Sequence, residues 1–105
     1  MSAGASVILT GDFNSGEGSE PYKALFAEAD GKPSPVFDAY RTAHPERKAN
    51  EGTSTPFDAT KTTGSRIDWI AASRDWKILS CEIDHTHKNN RTPSDHFPVN
   101  AVIQR

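Results

Sequence analysis

Arg66-Ile67-Asp68-Trp69-Ile70-Ala71-Ala72 places one carboxylate inside a run that is otherwise apolar, β-branched and aromatic. Such a run predicts a strand with buried faces. A carboxylate buried there without a partner is costly, so Asp68 calls for one. Further along, Trp76 to Ile83 and Phe97 to Ile103 read as two more strands. Alternation puts Leu79, Cys81 and Ile83 on one face of the first, and Phe97, Val99, Ala101 and Ile103 on one face of the second. Upstream, Val7-Ile8-Leu9 is a continuous apolar run closed by Gly11, the pattern of a strand covered on both faces. Thr53 to Ala59 suggests a strand in which Pro56 demands an edge or a bulge.

Helical periodicity is confined to the segment between the first strand and Thr53. Tyr22, Leu25, Phe26 and Ala29 share one helical face after Pro21, with Ser19 and Glu20 to start the helix and Gly31 to stop it. Val36 to His44 predicts a short second helix with Phe37 and Tyr40 inward and Pro45 as terminator. Several strands with one or two helices predict an α+β layered arrangement, one domain over residues 1–105.

Composition narrows the function classes. Leu, Ile, Val and Phe number 18 of 105 residues, a lean supply for a globular core. That leanness suits either a small domain with long loops or a piece of a larger fold. A net charge of −2 lacks the Lys and Arg excess that drives nonspecific nucleic-acid binding, although Lys88, Arg91 and Arg105 gather late in the chain. The single cysteine, Cys81, excludes an intramolecular disulfide and a thiolate cluster; it is expected as a buried, inert thiol. There is no membrane segment or signal peptide in the sequence, so the chain is expected to be soluble, and composition does not choose between cytoplasm and secretion.

The residues with chemistry collect at strand ends. Asp12 and Asn14 follow the first strand, and Asp95 and His96 precede the last. His96 is a candidate partner for Asp68, because an aspartate orienting an imidazole is a recurrent catalytic device. The other histidines carry less. His44 reads as a helix-end surface residue. His85 and His87 would share one side of a strand without a third ligand. Lys88-Asn89-Asn90-Arg91 suits phosphate contact or a solvated turn equally.

Thr10-Gly11-Asp12-Phe13-Asn14, Arg66-Ile67-Asp68-Trp69-Ile70 and Ser94-Asp95-His96-Phe97-Pro98-Val99 together resemble three motifs of the endonuclease/exonuclease/phosphatase family, in order. The resemblance implies half of that family's four-layer α/β sandwich: one mainly antiparallel sheet with one or two helices packed on it. It implies a metal-dependent hydrolase of phosphoester bonds, nuclease, phosphodiesterase or phosphatase in type, using Mg2+ or Mn2+. Asp12 would orient or deprotonate the attacking water, and Asn14 would hold Asp12 and touch phosphate. His96, fixed by Asp68, would donate to a phosphate oxygen, and Asp95 with Asp12 would bind the metal. The substrate would be a phosphoester, nucleic acid among the options.

Two departures accompany the match. The family's N-terminal half, with its principal metal-binding Glu, has no counterpart here. Thr53-Ser54-Thr55-Pro56-Phe57 also stands where many bacterial relatives have Thr-Phe-His. A bare inner sheet face then predicts a partner, either a homodimer mate or the missing N-terminal half. The alternatives are a catalytically incomplete module that binds another polypeptide, or a metal- or nucleic-acid-binding protein without turnover.

Overall fold

The structure, a computed structural model, describes residues 6–105. Its organising element is β3 (Asp68–Ser73), five of whose six residues are buried. It is the middle strand of a three-stranded antiparallel sheet, between β1 (Ile8–Asp12) and β2 (Val36–Asp38). Register sets Asp12 opposite Asp68 and Gly11 opposite Trp69, so the predicted site begins at one end of a strand pair.

Each face of β3 packs differently. On one, Trp69 stacks on Phe13 at 4.4 Å between ring centroids and takes the edge of Tyr22 at 5.2 Å. Tyr22 and Phe26 come from α1 (Glu20–Phe26), capped where the Ser19 hydroxyl accepts the Tyr22 N–H. On the other face, Ile70 joins Ala39 and Tyr40 of α2 (Ala39–Ala43) and Cys81, Ile83 and Phe97 in the main core. Cys81 and Ile83 lie on β4 (Lys77–Ile83), which pairs antiparallel with β5 (Val99–Gln104) as a separate two-stranded sheet. The architecture is α+β, antiparallel, with two helices, and its strands divide between two sheets rather than one.

Four local expectations change. The helix after Pro21 stops at Phe26, before Ala29. Asp30 and Gly31 both take positive φ and close Ala29 on Lys32 through two backbone hydrogen bonds, which reverses the chain. Val36 to His44 divides into β2 and α2, because Asp38 pairs with Ala71 and also caps the helix through the Arg41 N–H. Thr53 to Ala59 forms a single bridge, Ser54 to His96, and then turns. Leu79 faces outward, 51% exposed: the irregularity between Ile78 and Ser80 turns the strand, leaving Ile78, Cys81 and Ile83 inside.

The first strand also departs from its reading. β1 pairs with β3 along one edge, and all five of its residues are exposed, Ile8 by 45%. A continuous apolar run marks a strand covered on both faces; β1 has that sequence, yet its residues on both faces are exposed. Cys81 is buried as expected, and burial pushes its thiol up to about 11.

Candidate active site

Asp12, Asp68 and His96 meet at the end of the β1–β3 pair. The His96 Nδ1 and Asp68 Oδ2 are 2.7 Å apart, a charge-assisted hydrogen bond, and His96 Nε2 lies 3.5 Å from Asp12 Oδ2. The second separation makes a charge contact but is longer than a hydrogen bond. One ligand-type atom from each of the three residues falls within 4.8 Å of the others, the arrangement of a candidate metal group. The hydrogen bond to Asp68 raises the His96 pKa above its ordinary 6.5 despite some burial, and the charges of Asp68, Asp12 and Asp95 add to the rise. The ring therefore holds its proton more readily than a free histidine does. The group borders a depression of about 390 Å³ whose walls include Ile70, Phe97, Pro98 and Val99 with Thr10 and Ser94.

Backbone geometry aims these side chains. Asn14 adopts φ 51°, a left-handed conformation asparagine tolerates, and its N–H donates to Asp12 Oδ1 at 2.9 Å. Asn14 thus holds Asp12 through its main chain. Asp95 is exposed and stands outside the three-residue group; its carboxylate has the Ser94 hydroxyl 3.5 Å away. His44 sits at the end of α2, its Nε2 2.6 Å from the Cys81 carbonyl oxygen. His85 packs edge-on to Phe97, and His87 is exposed with Nδ1 2.9 Å from the His85 carbonyl oxygen. Lys88-Asn89-Asn90-Arg91 is a two-residue hairpin turn, closed by backbone bonds of 3.0 and 2.9 Å.

Thr53 is the residue that pattern reading missed. It is fully buried, and its hydroxyl oxygen accepts the N–H groups of both Ile67 and Asp68, at 2.9 and 3.2 Å. Its carbonyl accepts the Phe97 N–H at 2.8 Å. One residue, through its hydroxyl and its carbonyl, thereby ties the backbone of Asp68 to the segment carrying His96. Beside Thr53, Gly52 lets the chain lie against the 62–64 loop: a Cβ there would lie 2.7 Å from the Gly64 nitrogen. The Gly52-Thr53 pair was the available signal, although no periodicity marks it.

A second charged cluster braces the same loops. Glu17, three residues beyond Asn14, accepts Arg41 Nε at 2.8 Å and Nη2 at 2.6 Å. Arg41 also reaches Glu51 at 2.6 Å, and buried Arg66 pairs with Asp38 and lies 3.3 Å from Glu17. Tyr22 donates to Asp38 at 2.7 Å. Burial pushes Glu17 up, but the Arg41 hydrogen bond and the charges of Arg66, Arg41 and Arg47 outweigh it and hold its pKa below the ordinary 4.5.

The model of the Endonuclease/Exonuclease/phosphatase family matches residues 2–96, and the chain belongs to that family of phosphoester hydrolases. Its fold is similar to the mannosyl-6-phosphatase of Bacteroides thetaiotaomicron VPI-5482, with a TM-score of 0.75 and 30% identity over 98% of this chain and 39% of that one. It is also similar to an endonuclease/exonuclease/phosphatase family protein from Bacteroides thetaiotaomicron, with a TM-score of 0.75 and 32% identity over 93% and 36%. The chain therefore spans under two-fifths of the length of these structures. No curated protein matches it significantly. No helix among the described residues is long and apolar enough to cross a membrane.

Proposed function

We propose that this chain supplies the imidazole–carboxylate part of a divalent-metal-dependent phosphoester hydrolase acting on a sugar phosphate. The observation that carries the reading is the Asp68–His96–Asp12 alignment along one side of an open depression. Asp68 holds the ring through Nδ1 and favours its charged form. His96 Nε2–H then donates to a nonbridging phosphate oxygen, where negative charge develops. Asp12 takes the proton of the attacking water while the Asn14 N–H keeps its other oxygen occupied. As the water oxygen bonds to phosphorus, the bond from phosphorus to the sugar oxygen breaks, and that oxygen takes a proton from solvent.

The donor set fits a hard cation. Asp12 and Asp95 present exposed carboxylate oxygens beside the site, and Mg2+ or Mn2+ ordinarily takes one or two carboxylates plus substrate oxygens. When bound, the ion would neutralise phosphate charge. The printed activity of the mannosyl-6-phosphatase supports a sugar phosphomonoester, and the net charge of −2 argues against a polyanionic nucleic acid.

A second copy completes the site in this reading. The exposed apolar residues of β1, Ile8 and Leu9, and the outward Leu79 and Val102 support such pairing. The other reading is a half-domain that binds a different polypeptide, which would cover the same exposed residues Ile8, Leu9, Leu79 and Val102. Hydrolysis of p-nitrophenyl phosphate and bis-p-nitrophenyl phosphate, with magnesium or manganese, separates them. The hydrolase reading expects metal-dependent monoester turnover that falls by about 10²–10³-fold in His96→Ala. A folded chain without turnover in either metal leaves the interaction reading, and a monomeric sedimentation mass at micromolar concentration removes the second copy.

A further inference from the structure

Phe57 is held where an aromatic residue gains little. Its φ is 59°, a left-handed conformation unfavourable to bulky side chains, and it is 49% exposed. The turn that holds it is heavily pinned. The Thr55 hydroxyl donates to the Asp58 carbonyl oxygen and accepts the Asp58 N–H, and Asp58 Oδ1 accepts from the Thr60 N–H and hydroxyl. The Ala59 N–H reaches the carbonyl of Asn90, which docks this turn on the Lys88–Arg91 hairpin. Asn89 and Asn90 also have positive φ, but asparagine adopts it readily; Phe57 does not. Strain that burial does not offset points to use of the ring.

Between the two turns lies a cleft of about 480 Å³ that Phe57, Asp58, Thr60, Asn90 and Arg91 help to line. It combines an exposed ring with an amide, a carboxylate, a hydroxyl and a guanidinium. Both donors and acceptors are present, and Asp58 offsets Arg91. That chemistry suits a neutral polyhydroxylated ring whose C–H face lies on an aromatic. It does not suit a run of phosphates. The segment that carries Phe57 is joined through its backbone to the segment that carries His96. Ser54 bridges His96, the Thr55 N–H donates to the Asp95 carbonyl, and Phe57 is three residues from Ser54, a chain span of at most ~11 Å.

We propose that Phe57, facing Asn90 and Arg91, forms the subsite for the sugar ring of a phosphorylated substrate whose phosphate sits at His96. This rests on the hydrolase reading above, so the test measures binding in the two places separately. Amide NMR spectra of the chain in magnesium are titrated with mannose 6-phosphate, methyl mannoside, inorganic phosphate and thymidine 5′-phosphate. Mannose 6-phosphate is expected to shift residues 57–60 and 89–91 together with His96, and inorganic phosphate His96 alone. Phe57→Gly, which accommodates the left-handed backbone, is expected to stay folded. It should weaken mannose 6-phosphate binding by about fivefold or more and leave inorganic phosphate binding unchanged.

Shifts at His96 with none at Phe57, or a Phe57→Gly change below about fivefold, overturn the subsite while leaving the hydrolase reading intact. Shifts at Phe57 by methyl mannoside with no phosphate response at His96 leave a sugar-binding cleft but overturn both its link to a phosphate at His96 and the hydrolase reading. A thymidine 5′-phosphate response at Phe57 equal to that of mannose 6-phosphate overturns the sugar assignment.

Discussion

Arg66 and Asp68 stand two residues apart and belong to charge clusters of opposite character. Around Arg66 the charges balance: Glu17, Asp38 and Glu51 are met by Arg66 and Arg41, with Arg47 Nε 3.4 Å from Glu17 at the surface. Arg66 and Asp38 are buried, so each charge depends on its partner. Around Asp68 the charges do not balance. Asp12 and Asp68 flank one imidazole, Asp95 adds its charge from outside the group, and the group opens onto a depression. Both clusters are dense in polar atoms, so density does not identify a site. Uncompensated negative charge that solvent can reach does, because a cation and a phosphate can still add to it.

The comparison is broken most severely by Arg66→Ala. Removing one partner strands Asp38 in the interior, and the expected loss is about 3–5 kcal/mol of unfolding free energy, read from chemical denaturation. An unchanged midpoint would mean that the balanced cluster does not brace the fold. Thr53→Val comes next. It leaves the Ile67 and Asp68 N–H groups without their acceptor, costing about 1–3 kcal/mol. The same change should lower turnover by loosening the Asp68–His96 pair. Stability lost without any change in turnover would confine Thr53 to the fold.

Acid sharpens the contrast. Burial pushes both Glu17 and Glu51 up, but hydrogen bonds from Arg41 and nearby positive charge hold both below the ordinary 4.5. A lowered folded pKa contributes stability that is fully present above about pH 4.5 and is lost as pH falls through the folded value. Denaturation midpoints should therefore begin to fall near pH 4.5 and keep falling below it, and Glu17→Gln should flatten that slope. An equal slope in the variant would remove Glu17 from the account. The smallest effect on stability is expected from Asp12→Asn. It relieves repulsion in the unbalanced cluster, so stability should stay within about 0.5 kcal/mol or rise slightly, while turnover is lost. A large destabilisation would place Asp12 with the structural charges instead.

The chain by itself determined the strand carrying Asp68, the last two strands, the α+β class and the pairing of Asp68 with His96. These rest on local properties: an apolar run, an alternation, a motif, and the cost of a lone carboxylate among Ile67, Trp69 and Ile70. Tertiary contact decided the rest. Thr53 carries no local pattern, and its part follows from three backbone groups of Ile67, Asp68 and Phe97 converging on it. Leu79 fits an inward alternation until the irregularity in β4 turns it out. Val7-Ile8-Leu9 reads as doubly covered because hydropathy records what a strand can bury. Whether another layer packs on its faces is a property of the assembled fold, and here the residues of β1 are exposed on both.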